Sequence, residues 1–194
     1  MSLLQIGLIF LCGLPIVATL LLGYQLMRVG NGAMGTPTIT SWIFYLAKFI
    51  IVVIVGLLFI ATIKPQFFLH FPGLIQHEIP EVQKLMALIF LLGANLLVVP
   101  AYYGMSIFTR VGLPTGEHAL QTNGVYNITR NPMYTSFYFF HVACILLIPS
   151  LVLVPLMIFN LVAHHYIILN EEKFLAKTFQ NEYLNYKKDT ARYL

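Results

Sequence analysis

Two stretches of this 194-residue chain carry its densest polar chemistry. One runs through Glu117-His118-Ala119-Leu120-Gln121-Thr122-Asn123-Gly124-Val125-Tyr126 and on to Thr129-Arg130-Asn131-Pro132-Met133-Tyr134. The other opens at Glu171-Glu172 and continues through Phe179 to Asn181-Glu182-Tyr183-Leu184-Asn185-Tyr186-Lys187-Lys188. Carboxylates, amides, an arginine and phenols can hydrogen-bond a polar ligand, and the phenols add π faces. Other chemistries lack their signatures, and no metal is expected. His164 and His165 are adjacent, so on a helix they point about 100° apart and cannot share an ion as an i,i+4 pair would. Gly104, Gly112 and Gly116 have no strand before them to make a phosphate cradle. No serine-based triad is present, and His70, His77, His141, His164 and His165 read as structural or interfacial.

The elements that position these residues are apolar. Hydrophobic residues make up 59% of the chain and charged residues only 9%, against about 25% charged in soluble domains. A water-facing globule is excluded, as are disordered and low-complexity classes. The expectation is a single all-α, polytopic membrane domain over 1–194, with about five transmembrane helices. Residues 1–103 would hold three spans, and 104–194 a polar loop, a helical hairpin and an amphipathic C-terminal helix. Net charge is +4, suited to anionic lipid and too weak to imply nucleic acid. Cys12 and Cys144 sit in apolar runs and read as buried small hydrophobes.

Span by span, Leu3 to about Met27 precedes the first charge, Arg28, and carries Pro15 as a kink. No basic residue precedes this run and it exceeds a signal core, so it reads as a span rather than a cleavable signal. The second span starts near Trp42 and ends before Lys64; Lys48 within it lies within two turns of the interface, near enough for its stem to snorkel back. The third runs from about Lys84 to Tyr103, with Asn95 inside it. Met133–Ile148 and Leu151–Asn170 then flank Pro149-Ser150. The first of these reaches only about 24 Å as helix, so a hairpin turning at 149–150 is the economical reading.

Orientation follows from the bases. With the N-terminus outside, Arg28, Lys48, Arg110, Arg130, Lys173, Lys177, Lys187, Lys188 and Arg192 fall inside, and only Lys64 and Lys84 fall outside. The loop 104–132 and the C-terminal tail then share the cytoplasmic face. Counting eighteen residues back from Ser150 reaches Pro132, and eighteen forward reaches Ile168. Antiparallel packing sets Arg130-Asn131-Pro132 beside Asn170, Glu171 and Glu172. Polar groups gathered at one membrane rim mark a place for a polar cofactor and a lipid-soluble partner. The tail, with Phe174, Leu175, Thr178, Phe179, Tyr183 and Tyr186 at helical spacing, reads first as an interfacial helix, and a second, compatible reading has it also close such a site.

The two polar segments together resemble the isoprenylcysteine carboxyl methyltransferase and phospholipid methyltransferase group of membrane enzymes. That pattern is His-x-Leu-x-Thr-x-Gly-x-Tyr, then Arg-His-Pro-x-Tyr, a span, a Glu-Glu pair, and a Phe-Gly-x-x-Tyr-x-x-Tyr tail ending near an Arg. The match covers about residues 115–192. The resemblance implies an S-adenosylmethionine-dependent methyltransferase, releasing S-adenosylhomocysteine, whose cofactor lies in a cytoplasmic pocket with a lateral opening to the bilayer. It places cofactor contacts on His118, Ala119, Leu120, Gln121, Gly124, Tyr126, Arg130, Asn131, Pro132, Met133, Tyr134 and Glu171. Glu171 can accept hydrogen bonds from a ribose or pair with an amino group. Tyr126 and Tyr134 offer faces to adenine or a sulfonium. Gly124 supplies a turn conformation, and Pro132 suits a first helical turn. Arg130 suits a cofactor carboxylate or a lipid phosphate equally.

Three positions depart from the pattern. Asn131 stands where the family has His, so a hydrogen bond survives but proton shuttling does not. Gln180 replaces Gly after Phe179, which predicts a more helical path there. Ile167 replaces an Arg expected one turn before the Glu pair, which weakens the case for a prenylcysteine carboxylate. Arg130, Glu172 and His165 are catalytic candidates by location alone. Membrane lipids and a lipophilic or small acceptor (prenylcysteine-like carboxylate, lipid amine or thiol) are the expected partners, in a prokaryotic inner membrane, with oligomeric state left open. An NADPH-dependent membrane steroid or enoyl reductase and a non-catalytic lipid-binding relative are the rival readings. Pro132 after the polar residue, a single Trp and few bases count against the reductase.

Overall fold

A computed structural model describes residues 2–28, 35–75, 78–105 and 119–194. Five helices dominate it: α1 (Leu3–Arg28), α2 (Ser41–Ile63), α3 (Glu81–Met105), α4 (Pro132–Leu147) and α5 (Leu153–Asp189). Short 3₁₀ turns occupy Pro65–His70 and Gly124–Asn127. Among the described residues there is no strand, and isolated β-bridges pair Leu74 with Ser150 and Thr129 with Ala191. α1, α2, α3 and α5 are each long and apolar enough to cross a membrane, and α4 is a shorter apolar helix. The chain is an all-α polytopic membrane protein.

Large apolar side chains such as Phe10, Phe49, Val52, Ile89, Leu96 and Ile158 face outward from these helices. Water would reject such a surface and lipid tails accept it. The core lies between the helices, where Leu11, Cys12, Phe44, Ala47, Leu58, Leu91, Ala94, Phe140, Cys144 and Ile167 are buried. Both cysteines are free and buried, as their apolar setting predicts. With lipid as solvent, close packing and interhelical hydrogen bonds must hold the bundle. Asn95 of α3 donates to the Leu11 carbonyl of α1 at 2.9 Å. Asn160 of α5 donates to the Ala47 carbonyl of α2 at 2.6 Å. α4 packs chiefly on α3. At Gly93 of α3 a Cβ would come within 2.9 Å of the Phe139 ring, so the close approach of these two helices needs glycine.

α4 and α5 form the expected hairpin, and the turn between them is held from outside. Ser150 donates to the Pro72 carbonyl at 2.6 Å, Ile75 N–H to Pro149 O at 2.9 Å, and Leu151 N–H to Gly73 O at 2.9 Å. Gly73 has φ +67°, and a Cβ there would meet Val152 Cγ2 at 2.9 Å. The α2–α3 connection thus clasps one end of the bundle. Its opposite end gathers Arg28, the start of α2, the end of α3, residues 119–131 and the polar part of α5.

The last span continues past the Glu pair as far as Gln180, where the backbone breaks, and a second helical stretch follows over 181–189. The path at Gln180 corrects the sequence reading, being less helical than expected, with φ 43° and ψ −119°. This is a conformation glycine takes without cost and glutamine holds under strain.

Candidate functional site

Past the bend, residues 181–189 and the last five residues fold back over 126–131. Tyr186 donates to the Tyr126 carbonyl at 2.6 Å. Arg130 N–H donates to Ala191 O at 2.8 Å, and the Thr129 hydroxyl to Arg192 O at 2.9 Å. The Arg130 guanidinium donates to the carbonyls of Thr190 and Lys187, at the end of α5 where carbonyls lack helical partners.

Glu172 ties this arrangement together. Oε1 accepts from Arg130 at 3.0 Å, Asn131 Nδ2 at 3.2 Å and Arg192 Nε at 3.0 Å, and Oε2 accepts from Arg192 at 2.9 Å. The carboxylate is buried between two guanidiniums, and its hydrogen bonds raise Arg192 further above the usual guanidinium range. Asn131 turns its amide onto Glu172 and Arg192 O and leaves α4 without a side-chain cap. Pro132 opens α4, as its fixed φ favours.

One residue earlier on α5, Glu171 points elsewhere. It accepts from the Tyr134 hydroxyl at 2.6 Å. Tyr134 in turn accepts from Lys48 Nζ at 3.2 Å. The Lys48 ammonium lies 4.4 Å from the Tyr134 ring centre and 5.5 and 5.8 Å from those of Phe44 and Phe137. An ammonium surrounded by π faces and a phenol oxygen recovers part of the hydration it loses.

Residues 119–127 wall the same place from the side of α3. Ala119 is exposed, and Leu120 and Gln121 are half-buried. Gln121 and the Tyr126 ring pack against Gly104 near the end of α3. Gly124 has φ +65°, as expected of a turn glycine. Tyr126 is buried and donates to Ala101 O at 3.5 Å. Burial first, then Tyr186 and the Glu171 carboxylate, push its phenol well above the usual tyrosine range. Met133 is half-buried, its carbonyl accepting from Ser136. His118 lies outside the described residues, as do Glu117, Arg110 and His77.

The two adjacent histidines diverge as the helical angle requires. His165 meets the Tyr193 hydroxyl at 2.8 Å, which also lies 3.2 Å from Tyr138. His164 packs against Tyr134, with ring centres 5.5 Å apart. Between α4 and α5 an apolar groove of about 370 Å³ is lined by Tyr138, His141, Val142, Val154, Met157 and Leu161 among others.

The structure therefore joins Tyr134, Tyr126 and Glu171 at one locus, and assigns Arg130 and Asn131 to a clamp on Glu172. Sequence reasoning missed Lys48 and Arg192. A lone cation within an apolar span is the signal for the first; for the second, only the family pattern's closing Arg hinted at it.

A family model described as phospholipid methyltransferase matches residues 82–182, just over half of the 194 residues. No curated protein and no solved structure matches the chain.

Proposed function

Because the chain belongs to the phospholipid methyltransferase family and is thus a membrane methyltransferase, we propose that it uses S-adenosylmethionine, held where residues 119–134 meet Glu171. The observation that carries this reading is the Tyr134–Glu171 hydrogen bond of 2.6 Å, formed inside the family-matched segment. Donor chemistry at this place fits the cofactor. Glu171 Oε2 accepts no hydrogen bond among the described residues, leaving it for a hydroxyl or ammonium. Tyr126 and Tyr134 supply faces for a flat ring or a cation.

When bound, the cofactor supplies a methyl group already activated on a sulfonium. The chain's own tasks are to orient and to exclude water. Apolar walls from α2, α4 and α5 serve the second. Glu172 is held by four donors and Asn131 cannot take up a proton, so both read as positioning groups. Arg130, directed to backbone carbonyls and Glu172, reads likewise. The groove between α4 and α5 supports a lipophilic acceptor in preference to a small polar one. We place the site at the cytoplasmic face with the N-terminus outside, on the positive-inside distribution of bases.

The test is transfer of labelled methyl from S-adenosylmethionine to lipid acceptors bearing carboxylate, amine or thiol heads. The expected result is label in one class, and thermal stabilisation by S-adenosylhomocysteine. Stabilisation by NADPH alone, with no transfer, would overturn the reading.

A further inference from the structure

Lys48 is a charge inside the apolar helix α2, a position that is costly in lipid and marks a functional group when the charge is partnered inside the bundle. Its interaction is specific. An ammonium can only donate, so the Tyr134 oxygen accepts from Lys48 and the phenol proton goes on to Glu171. The order Nζ–H···O–H···Oε1 links α2, α4 and α5, with 3.2 and 2.6 Å between heavy atoms. Among the described residues Lys48 forms no direct ion pair, since the salt bridges are Lys84–Glu81, Arg130–Glu172 and Arg192–Glu172. Cation and carboxylate face each other across one phenol. Each keeps capacity: the ammonium two further N–H groups, the carboxylate its second oxygen.

We propose that Lys48, which lies outside the family-matched segment, is a positioning residue of the cofactor site, directing the Tyr134 hydroxyl toward Glu171 and holding that carboxylate ionised. This rests on the cofactor reading above. Three rings around the ammonium and an apolar α2 leave it no other anionic neighbour among the described residues. Removing the charge leaves Glu171 with a neutral phenol in a low-dielectric wall, where a carboxylate takes up a proton. A protonated Glu171 loses acceptor capacity on the side that faces the cofactor. Lys48 acts through Tyr134 and itself touches neither cofactor nor acceptor.

The test is calorimetric titration of the full-length chain in detergent micelles with S-adenosylhomocysteine. Lys48→Met is expected to weaken binding at least about tenfold, or 1.4 kcal/mol, while keeping or raising the midpoint of thermal unfolding, because a buried charge is removed. Lys48→Arg, which retains the cation, is expected to bind at least about threefold more tightly than Lys48→Met. Lys48→Met combined with Tyr134→Phe should bind no more weakly than the worse single variant, because the two act in series. An unchanged constant in Lys48→Met, no rescue by Arg, additive losses, or a loss that merely follows thermal stability would each overturn the proposal. Should the unsubstituted chain not bind, the cofactor reading falls with it. Binding by that chain, with any of those four outcomes, removes the role of Lys48 alone.

Discussion

Glu171 and Glu172 are neighbours on α5 and face different partners: Glu171 accepts from Tyr134 at 2.6 Å, and Glu172 from Arg130 at 3.0 Å. The 100° step of the helix makes the difference. One carboxylate keeps an oxygen for a ligand; the other is enclosed by guanidiniums and an amide. The pair thus divides into a recognition group and a clamp, and each half can be tested separately.

Glu172→Gln leaves Arg130 and Arg192 without their counter-charge. Breaking a buried pair from one side costs about 3–5 kcal/mol, so a large drop in thermal unfolding midpoint is expected. An unchanged midpoint would mean that the C-terminal segment is held by its backbone hydrogen bonds alone.

Gln180→Gly relieves a side chain held at φ 43°. We expect stabilisation of about 1 kcal/mol, visible in the same unfolding assay, and little change for Gln180→Ala, which keeps the strain. Equal effects of the two variants would contradict the assignment of strain to this residue.

At the other end of the bundle, Gly73→Ala adds a Cβ 2.9 Å from Val152 Cγ2 at φ +67°. Loss of about 1–3 kcal/mol is expected, with S-adenosylhomocysteine affinity unchanged. Loss of affinity without loss of stability would show the clasp coupled to the site.

Much of this was legible in the sequence because lipid imposes few solutions. Apolar runs bounded by Arg28, Lys64 and Lys84, with Lys48 the one charge inside them, mark the first three spans, and the count about Ser150 brings Arg130–Pro132 to the Glu pair without any family knowledge. Directions within a helix turn are harder. Glu171 and Glu172 share a position on any coarse map, and only packing separates their roles. Lys48 could equally reach the rim by its long stem; the choice depends on Tyr134, eighty-six positions away in sequence. Gln180 misleads because residue propensity predicts helix there, while the fold-back of 190–194 onto Thr129–Asn131 demands a bend.

The central claim is that the Tyr134–Glu171 locus binds the methyl donor. Its most direct measurement is the affinity of Glu171→Gln for S-adenosylhomocysteine by calorimetry, beside its unfolding midpoint. The account predicts at least about tenfold weaker binding at a midpoint near that of the unsubstituted chain. Equal affinity in the two proteins would contradict it.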